Sequence, residues 1–212
     1  ATVVAQGTGS KITWNADKFS TYLIAYKDPV DSNKDTNKDS SKDISKASVT
    51  LKTTKYTYSG KAKQPAVTVA YSGKNLVNNT DYTVRDSKNK AVGTAVVTIT
   101  GKGSWKGSVK KSFTIIPKGT SIKTLKAGSK GFTATWKKRK KQTTGYQIWY
   151  ARNSKFSSGK KTVTIKKKKT GSRKITGLKA KKKYYVKIRT YKKVGGKKYY
   201  SSWSKAKIVM TK

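Results

Sequence analysis

The sequence predicts an all-β protein of two tandem β-sandwiches, preceded by an N-terminal β-hairpin. Three observations carry this expectation. Val, Ile, Thr and Tyr alternate with polar residues at period two over most of the 212 residues, and a helical period is nowhere sustained. Gly, Asn and Lys turns separate the alternating runs at the spacing of short sandwich strands. Hydrophobic residues make up only 33% of the chain, but 5 Trp and 13 Tyr supply large apolar surface in few positions, as small sheet cores require.

In chain order, KITW (11–14) and FSTYLIAY (19–26) form two strands around a short turn. Two strands cannot bury a core alone, so residues 1–27 are expected to be the closing hairpin of a truncated preceding domain. The chain opens at Ala1 with neither Met nor signal peptide, the pattern of a piece processed or excised from a longer protein. Residues 28–46 read as a linker: Asp31, Asp35, Asp39 and Asp43 interleave with Lys34, Lys38 and Lys42, leaving no apolar face to bury. Asp31, Asn33 and Asp35 repeat the first ligand positions of a calcium loop. Thr36, however, stands where the sharp turn needs Gly, and Lys42 where a bidentate Glu is needed, so no metal is expected there.

Residues 47–117 offer the strands ASVTLK, YTYSG, PAVTVAY, DYTVRD, AVGTAVVTIT and SVKKSFTII, enough for a small two-sheet sandwich. Ile116-Pro117-Lys118-Gly119 marks a softer boundary. In residues 118–212, GFTATW (131–136) and GYQIWY (145–150) are followed by strands at 162–165, 173–178, 183–191 and near 205–211.

These residues carry family resemblances. Trp136 closing a strand, the GYQIWY strand, and Leu178 followed six residues later by Tyr184 resemble a fibronectin type III domain, with the closing GGKKYYSSWSKAKIVMTK similar to Lys-rich modules that end secreted Firmicutes proteins. The resemblance implies that Leu178 and Tyr184 form a structural tyrosine corner. It also implies that the position of Trp149 is usually polar, so this Trp departs from the pattern. VGTAVVTITGKGSWKGSVKKSFTI (92–115) resembles the ending of bacterial immunoglobulin-like repeats, which implies that Trp105 caps the core. The stretch DKFSTYLIAYKD (17–28) resembles the tail of domains that precede such modules. Together they imply a modular extracellular protein, secreted or displayed on the cell surface in the Gram-positive manner.

Charge sets the chemistry. The chain has 51 Lys+Arg against 8 acids, all Asp, with neither His nor Cys, for a net charge of +43. Histidine acid/base work, thiol nucleophiles, disulfides and the usual zinc sites are therefore excluded. No acid follows Asp86, so paired-carboxylate chemistry is excluded from the last 126 residues, and an intramolecular isopeptide bond lacks its buried acid in the last sandwich. Ser and Lys are abundant, but no strained G-x-S-x-G elbow is present. No enzyme, catalytic residue or cofactor is expected.

Residues 117–212 hold 32 of the 51 basic residues and no acid. The densest runs are Lys137, Lys138, Arg139, Lys140 and Lys141, and Lys166, Lys167, Lys168 and Lys169. Repulsion at this density is relieved by a counter-polyanion, so these runs are the expected polyanion contacts. Only 5 of the 51 basic residues are Arg, and no groove-reading helix or ribonucleoprotein motif occurs, which disfavours specific nucleic-acid binding. The bland reading of the same charge is solubilisation and protection of strand edges.

Period-two parity makes a second candidate. With Tyr146, Ile148 and Tyr150 inward, Gln147 and Trp149 point outward. With Tyr184, Val186 and Ile188 inward, Tyr185, Lys187, Arg189 and Tyr191 point outward. Neighbouring strands would then carry an exposed aromatic strip of Trp149, Tyr185 and Tyr191 edged by cations. It would either bind a glycan or protein or merely stiffen the sheet.

The expected function is that of non-enzymatic structural and adhesion modules, with Lys attraction to anionic cell-wall polymers. The alternatives are a host glycan-binding or protein-binding module, as in an adhesin or immunoglobulin binder, and an accessory domain of a secreted enzyme.

Overall fold

The computed structural model describes residues 41–212. The hairpin expected at 1–27 and the calcium-loop-like Asp31 to Asp35 lie outside the described residues.

The described residues form an all-β structure. The first sandwich contains β1 (Lys42–Asp43), a 3₁₀ turn (Ile44–Lys46), β2 (Ser48–Leu51), β3 (Lys55–Thr57), β4 (Val67–Tyr71), β5 (Lys74–Asn75), β6 (Tyr82–Ser87), β7 (Gly93–Gly101), β8 (Trp105–Lys106) and β9 (Ser108–Ile116). A sheet in the order β2-β4-β5 faces one in the order β3-β9-β7-β6, and β1 runs parallel to β8. On β7 the alternation is strict: Ala95, Val97 and Ile99 are buried while Thr94 and Thr100 are exposed. Trp105 is buried in this core, edge-on to Tyr71 at 5.0 Å between ring centroids.

The linker expected to run to Lys46 ends earlier. Lys42 and Asp43 pair with Trp105 and Lys106, and Ile44 is fully buried in the core. Asp43 makes this turn by accepting a hydrogen bond from the Ser45 amide at 2.8 Å, a local cap. That bond, then the cations Lys46 and Lys106, lowers the Asp43 carboxyl pKa. Burying an Ile side chain contributes about 1.5–3 kcal/mol, which no solvated linker residue supplies.

The second sandwich contains β10 (Ile122–Gly128), β11 (Gly131–Trp136), β12 (Gly145–Ala151), β13 (Lys161–Ile165), β14 (Ser172–Ile175), β15 (Lys183–Val194), β16 (Lys197–Tyr200) and β17 (Lys207–Met210). One sheet has the order β10-β11-β14. The other has the order β13-β12-β15-β16, with β17 also pairing β15. Phe132, Trp136, Tyr146, Ile148, Val186 and Ile188 fill the space between them. Trp136 is tilted against Tyr146, 5.3 Å between ring centroids. Leu178 packs against this core, and the Lys179 amide donates to the Tyr184 hydroxyl at 3.3 Å, an arrangement that fixes the crossover between the two sheets.

Two side-chain hydrogen bonds are among the contacts between the sandwiches. Tyr199, from the second, is buried within the core cluster of the first, and its hydroxyl lies 2.9 Å from Thr94 Oγ1. The Val92 amide donates to Gln142 Oε1 at 3.3 Å.

Candidate functional site

The two lysine runs are loops at one end of the second sandwich. Residues 137–141 leave β11 toward β12, and residues 166–169 leave β13 toward β14. β12 places Tyr146 between them with its ring in the core, and the phenol reaches out of that core to meet both. Its hydroxyl accepts from the Arg139 amide at 2.7 Å and donates to the Lys168 carbonyl at 2.9 Å. A fully buried ring is thereby hydrogen-bonded at its polar tip, and two highly cationic loops are tied to each other. Further bonds hold the first loop to the connector between sandwiches: Arg139 Nε donates to the Gly119 carbonyl at 2.8 Å, and Thr120 Oγ1 to the Lys137 carbonyl at 2.7 Å. Gly171 lets the Lys138 stem lie close, since a Cβ there would come within 2.7 Å of Lys138 Cε.

Lys137, Lys138, Lys140, Lys141 and Lys166 to Lys169 are exposed, whereas Arg139 is half-buried. A cleft of about 660 Å³ includes Lys138, Arg139, Lys140 and Lys141 in its lining. A second, of about 460 Å³, is lined by Thr143, Thr144, Lys192 and Lys166 to Lys169. The clasped loops thus present cations to two hollows.

The aromatic face is built differently from the expected strip. Gln147, Trp149, Lys187 and Arg189 do share the outer face of one sheet. β12 and β15 pair Gln147 with Arg189 and Trp149 with Lys187. Tyr191 does not join the strip: it is 3% exposed. Its partner in register is Gly145, which has no side chain, so the Tyr191 ring lies against the strand where a Cβ would touch it at 3.0 Å. Tyr185 sits opposite Ala151 and Ile208, farther along the sheet.

Trp203 and Phe156 complete the face instead, and sequence reasoning placed neither there. Between β16 and β17 the chain leaves the ladder, and serine hydroxyls stand in for strand partners. Ser201 Oγ accepts from the Thr190 amide at 3.0 Å and Ser204 Oγ from the Ile188 amide at 3.1 Å, while the Ser204 amide donates to the Ile188 carbonyl at 2.8 Å. Trp203, between these serines, lands 4.2 Å from Trp149, with ring planes 34° apart. Phe156, at φ 55°, folds the 152–160 loop back onto the sheet and is buried.

Cations interleave with these rings. Lys160 Nζ is 4.0 Å from the Trp149 centroid, and Lys187 Nζ is 4.1 Å from Phe156. The Arg189 guanidinium lies 4.3 Å from Trp203 and 3.7 Å from Tyr200, and donates to Gln147 Oε1 through Nε at 2.9 Å and Nη2 at 2.6 Å. Burial, then the neighbouring charges of Lys160 and Arg189, lowers the Lys187 pKa. Burial also lowers that of Arg189, though the Tyr200 phenol partly opposes it. The result is a ladder in which the rings already stack on the protein's own cations.

No helix among the described residues is long and apolar enough to cross a membrane. No curated protein matches the chain. Solved structures similar to it include the chicken CNTN1 FN1–FN3 domains (14% identity, covering 81% of this chain and 67% of that one, TM-score 0.40). A cytokine receptor complex is also similar (13%, 77% and 96%, 0.45), as is a β-1,2-glucanase from Parabacteroides distasonis (15%, 55% and 17%, 0.33). These likenesses are too distant to carry any inference about function. The family model that matches is the fibronectin type III domain, over residues 116–207. Its span contains both clasped lysine loops and the whole aromatic ladder, and residues 116–207 are a fibronectin type III domain, a structural and binding module.

Proposed function

We propose that the two sandwiches are non-enzymatic spacer and adhesion modules of a secreted or surface-displayed bacterial protein, and that the second holds anionic cell-wall polymer through Lys137–Lys141 and Lys166–Lys169. In this reading the first sandwich is a bacterial immunoglobulin-like repeat. The observation that carries the proposal is the Tyr146 clasp, which gathers two separate runs of cations at one end of a domain that has no acid of its own. Charges held together in this way gain from one extended polyanion what scattered lysines would not, because a single chain releases many counterions at once. The ladder around Trp149 serves stiffness: its ring faces are taken by Lys160, Lys187 and Arg189, which leaves little open aromatic surface for a ligand.

The test is retention of the protein on purified Gram-positive cell walls in a salt gradient. Binding at low salt with release near about half-molar salt is expected of an electrostatic contact. Retention that ignores salt, or none at low salt, contradicts the proposal.

A further inference from the structure

The larger cleft is a composite of both sandwiches. One wall is Tyr58 and Ser59, just beyond β3. The other is Lys118 with Lys138, Lys140 and Lys141. Both walls are fixed to the same short connector: the Tyr58 amide donates to the Ile116 carbonyl at 2.9 Å, while Arg139 Nε holds the Gly119 carbonyl and Thr120 Oγ1 holds the Lys137 carbonyl. The hollow is therefore built in advance, and binding in it need not order either wall. At about 660 Å³ it falls within the range of small-ligand sites.

Its chemistry is mixed in a way that the other lysine hollow is not. Lys166–Lys169, Lys192, Thr143 and Thr144 offer only ammoniums and hydroxyls, and both of those hydroxyls are engaged: Thr143 Oγ1 donates to the Lys141 carbonyl, and Thr144 Oγ1 accepts from the Lys193 amide. The composite cleft adds a half-buried aromatic ring, Tyr58, and no acid lines it. That ring packs against the core of the first sandwich and also lines the cleft, and the cations of the ladder lie over other residues. A phosphate chain has charge for the lysines and nothing for the ring. An acidic sugar has both a carboxylate or sulfate and an apolar C–H face that stacks on an aromatic ring.

We infer that the cleft between the sandwiches is a subsite for an acidic polysaccharide, with Tyr58 as the stacking platform for one sugar ring and Lys138, Lys140 and Lys141 as its anion contacts. This rests on the polyanion reading above and adds a preference for sugar to it. Charge alone brings any polyanion to the clasped loops, and Tyr58 selects the glycan among them.

The experiment compares two probes, polygalacturonate and inorganic polyphosphate, by calorimetry at low salt on the full chain and three variants. Tyr58→Ala is expected to weaken polygalacturonate about three- to tenfold, the span of an aromatic pair contact, and to leave polyphosphate within about twofold. Tyr58→Phe keeps both affinities. Lys140→Gln with Lys141→Gln weakens both. Equal loss of both probes in Tyr58→Ala, or loss of neither, overturns the subsite. If the parent chain binds neither probe, the polyanion reading itself fails, which is a separate result. Near-UV circular dichroism checks the fold. Tyr58→Leu, which keeps apolar bulk without the ring, gives the same comparison should Tyr58→Ala unfold.

Discussion

The hydroxyl of Tyr146 takes the amide hydrogen of Arg139 at 2.7 Å while its ring is fully buried in the core of the second sandwich. The same oxygen gives its own hydrogen to the carbonyl of Lys168, so one core residue sets the geometry of both cationic loops. The loops repel each other electrostatically, and this pair of bonds works against that repulsion.

Tyr146→Phe removes the clasp without changing charge or core shape. Loss of about 1–2 kcal/mol is expected in chemical denaturation, because a part-buried amide and carbonyl lose their partner. Hydrogen exchange at the Arg139 amide should accelerate, and affinity for a polyanion should fall several-fold at unchanged net charge. A full-affinity variant would mean that the two loops act independently.

Ile44 tests where the first sandwich begins. Ile44→Ala is expected to cost about 2–5 kcal/mol, as for a large-to-small change in a core. A solvated linker residue would give a change near zero in the same melt.

Arg189→Lys tests what the ladder does. A lysine cannot reproduce the two-pronged contact with Gln147 or the flat stacking on Tyr200 and Trp203. The thermal midpoint should fall, with a cost of about 1–2 kcal/mol, while polyanion binding stays within twofold. The reverse pattern, unaltered stability with weakened binding, would make the ladder a ligand face.

Asp86 supplies a pH test. Its Oδ1 is buried without a hydrogen-bond partner, and burial raises its pKa above 3.8. With the folded value raised, the unfolded chain gives up this proton first. The carboxyl therefore subtracts stability progressively as pH rises from the unfolded value through the folded one, and the deficit persists at neutral pH. Asp86→Asn should stabilise the protein at pH 7, and the gain should shrink as pH falls through the raised folded value toward about 4 and vanish below it. A gain that is independent of pH would assign the effect to packing.

The long strands could be read from the sequence because their inner and outer faces differ. β7 alternates along its length and β15 from Tyr184 to Thr190, and both lysine runs stand out by charge alone. The features that alternation does not reveal have no such period. Ile44 is one apolar residue at the end of an Asp/Lys/Ser tract, and only the fold brings it into the core that also holds Trp105. Trp203 sits in SSWSKA, where hydroxyls replace strand partners and alternation fails. The Ser-rich flanks were the available signal, since such side chains bond to backbone when they leave a ladder. Tyr191 has outward parity but lies down on Gly145, and parity cannot foresee that. Tyr146 has inward parity as a core ring, while the reach of its hydroxyl to both loops depends on a fold that brings residues 139 and 168 together.

The most direct measurement sets the clasped loops against an equal number of lysines elsewhere on the same domain. Lys138, Lys140, Lys167 and Lys169 changed to Gln remove four charges from the clasped end. Lys179, Lys181, Lys183 and Lys212 changed to Gln remove four from the opposite end, where β15 begins. Binding of each variant to purified cell walls is followed against salt concentration. If the account is right, the first set flattens the slope of log affinity against log salt by roughly three to four, and the second leaves it nearly unchanged. Equal flattening by both sets would contradict it, for attraction would then belong to net charge and not to the end that Tyr146 holds together.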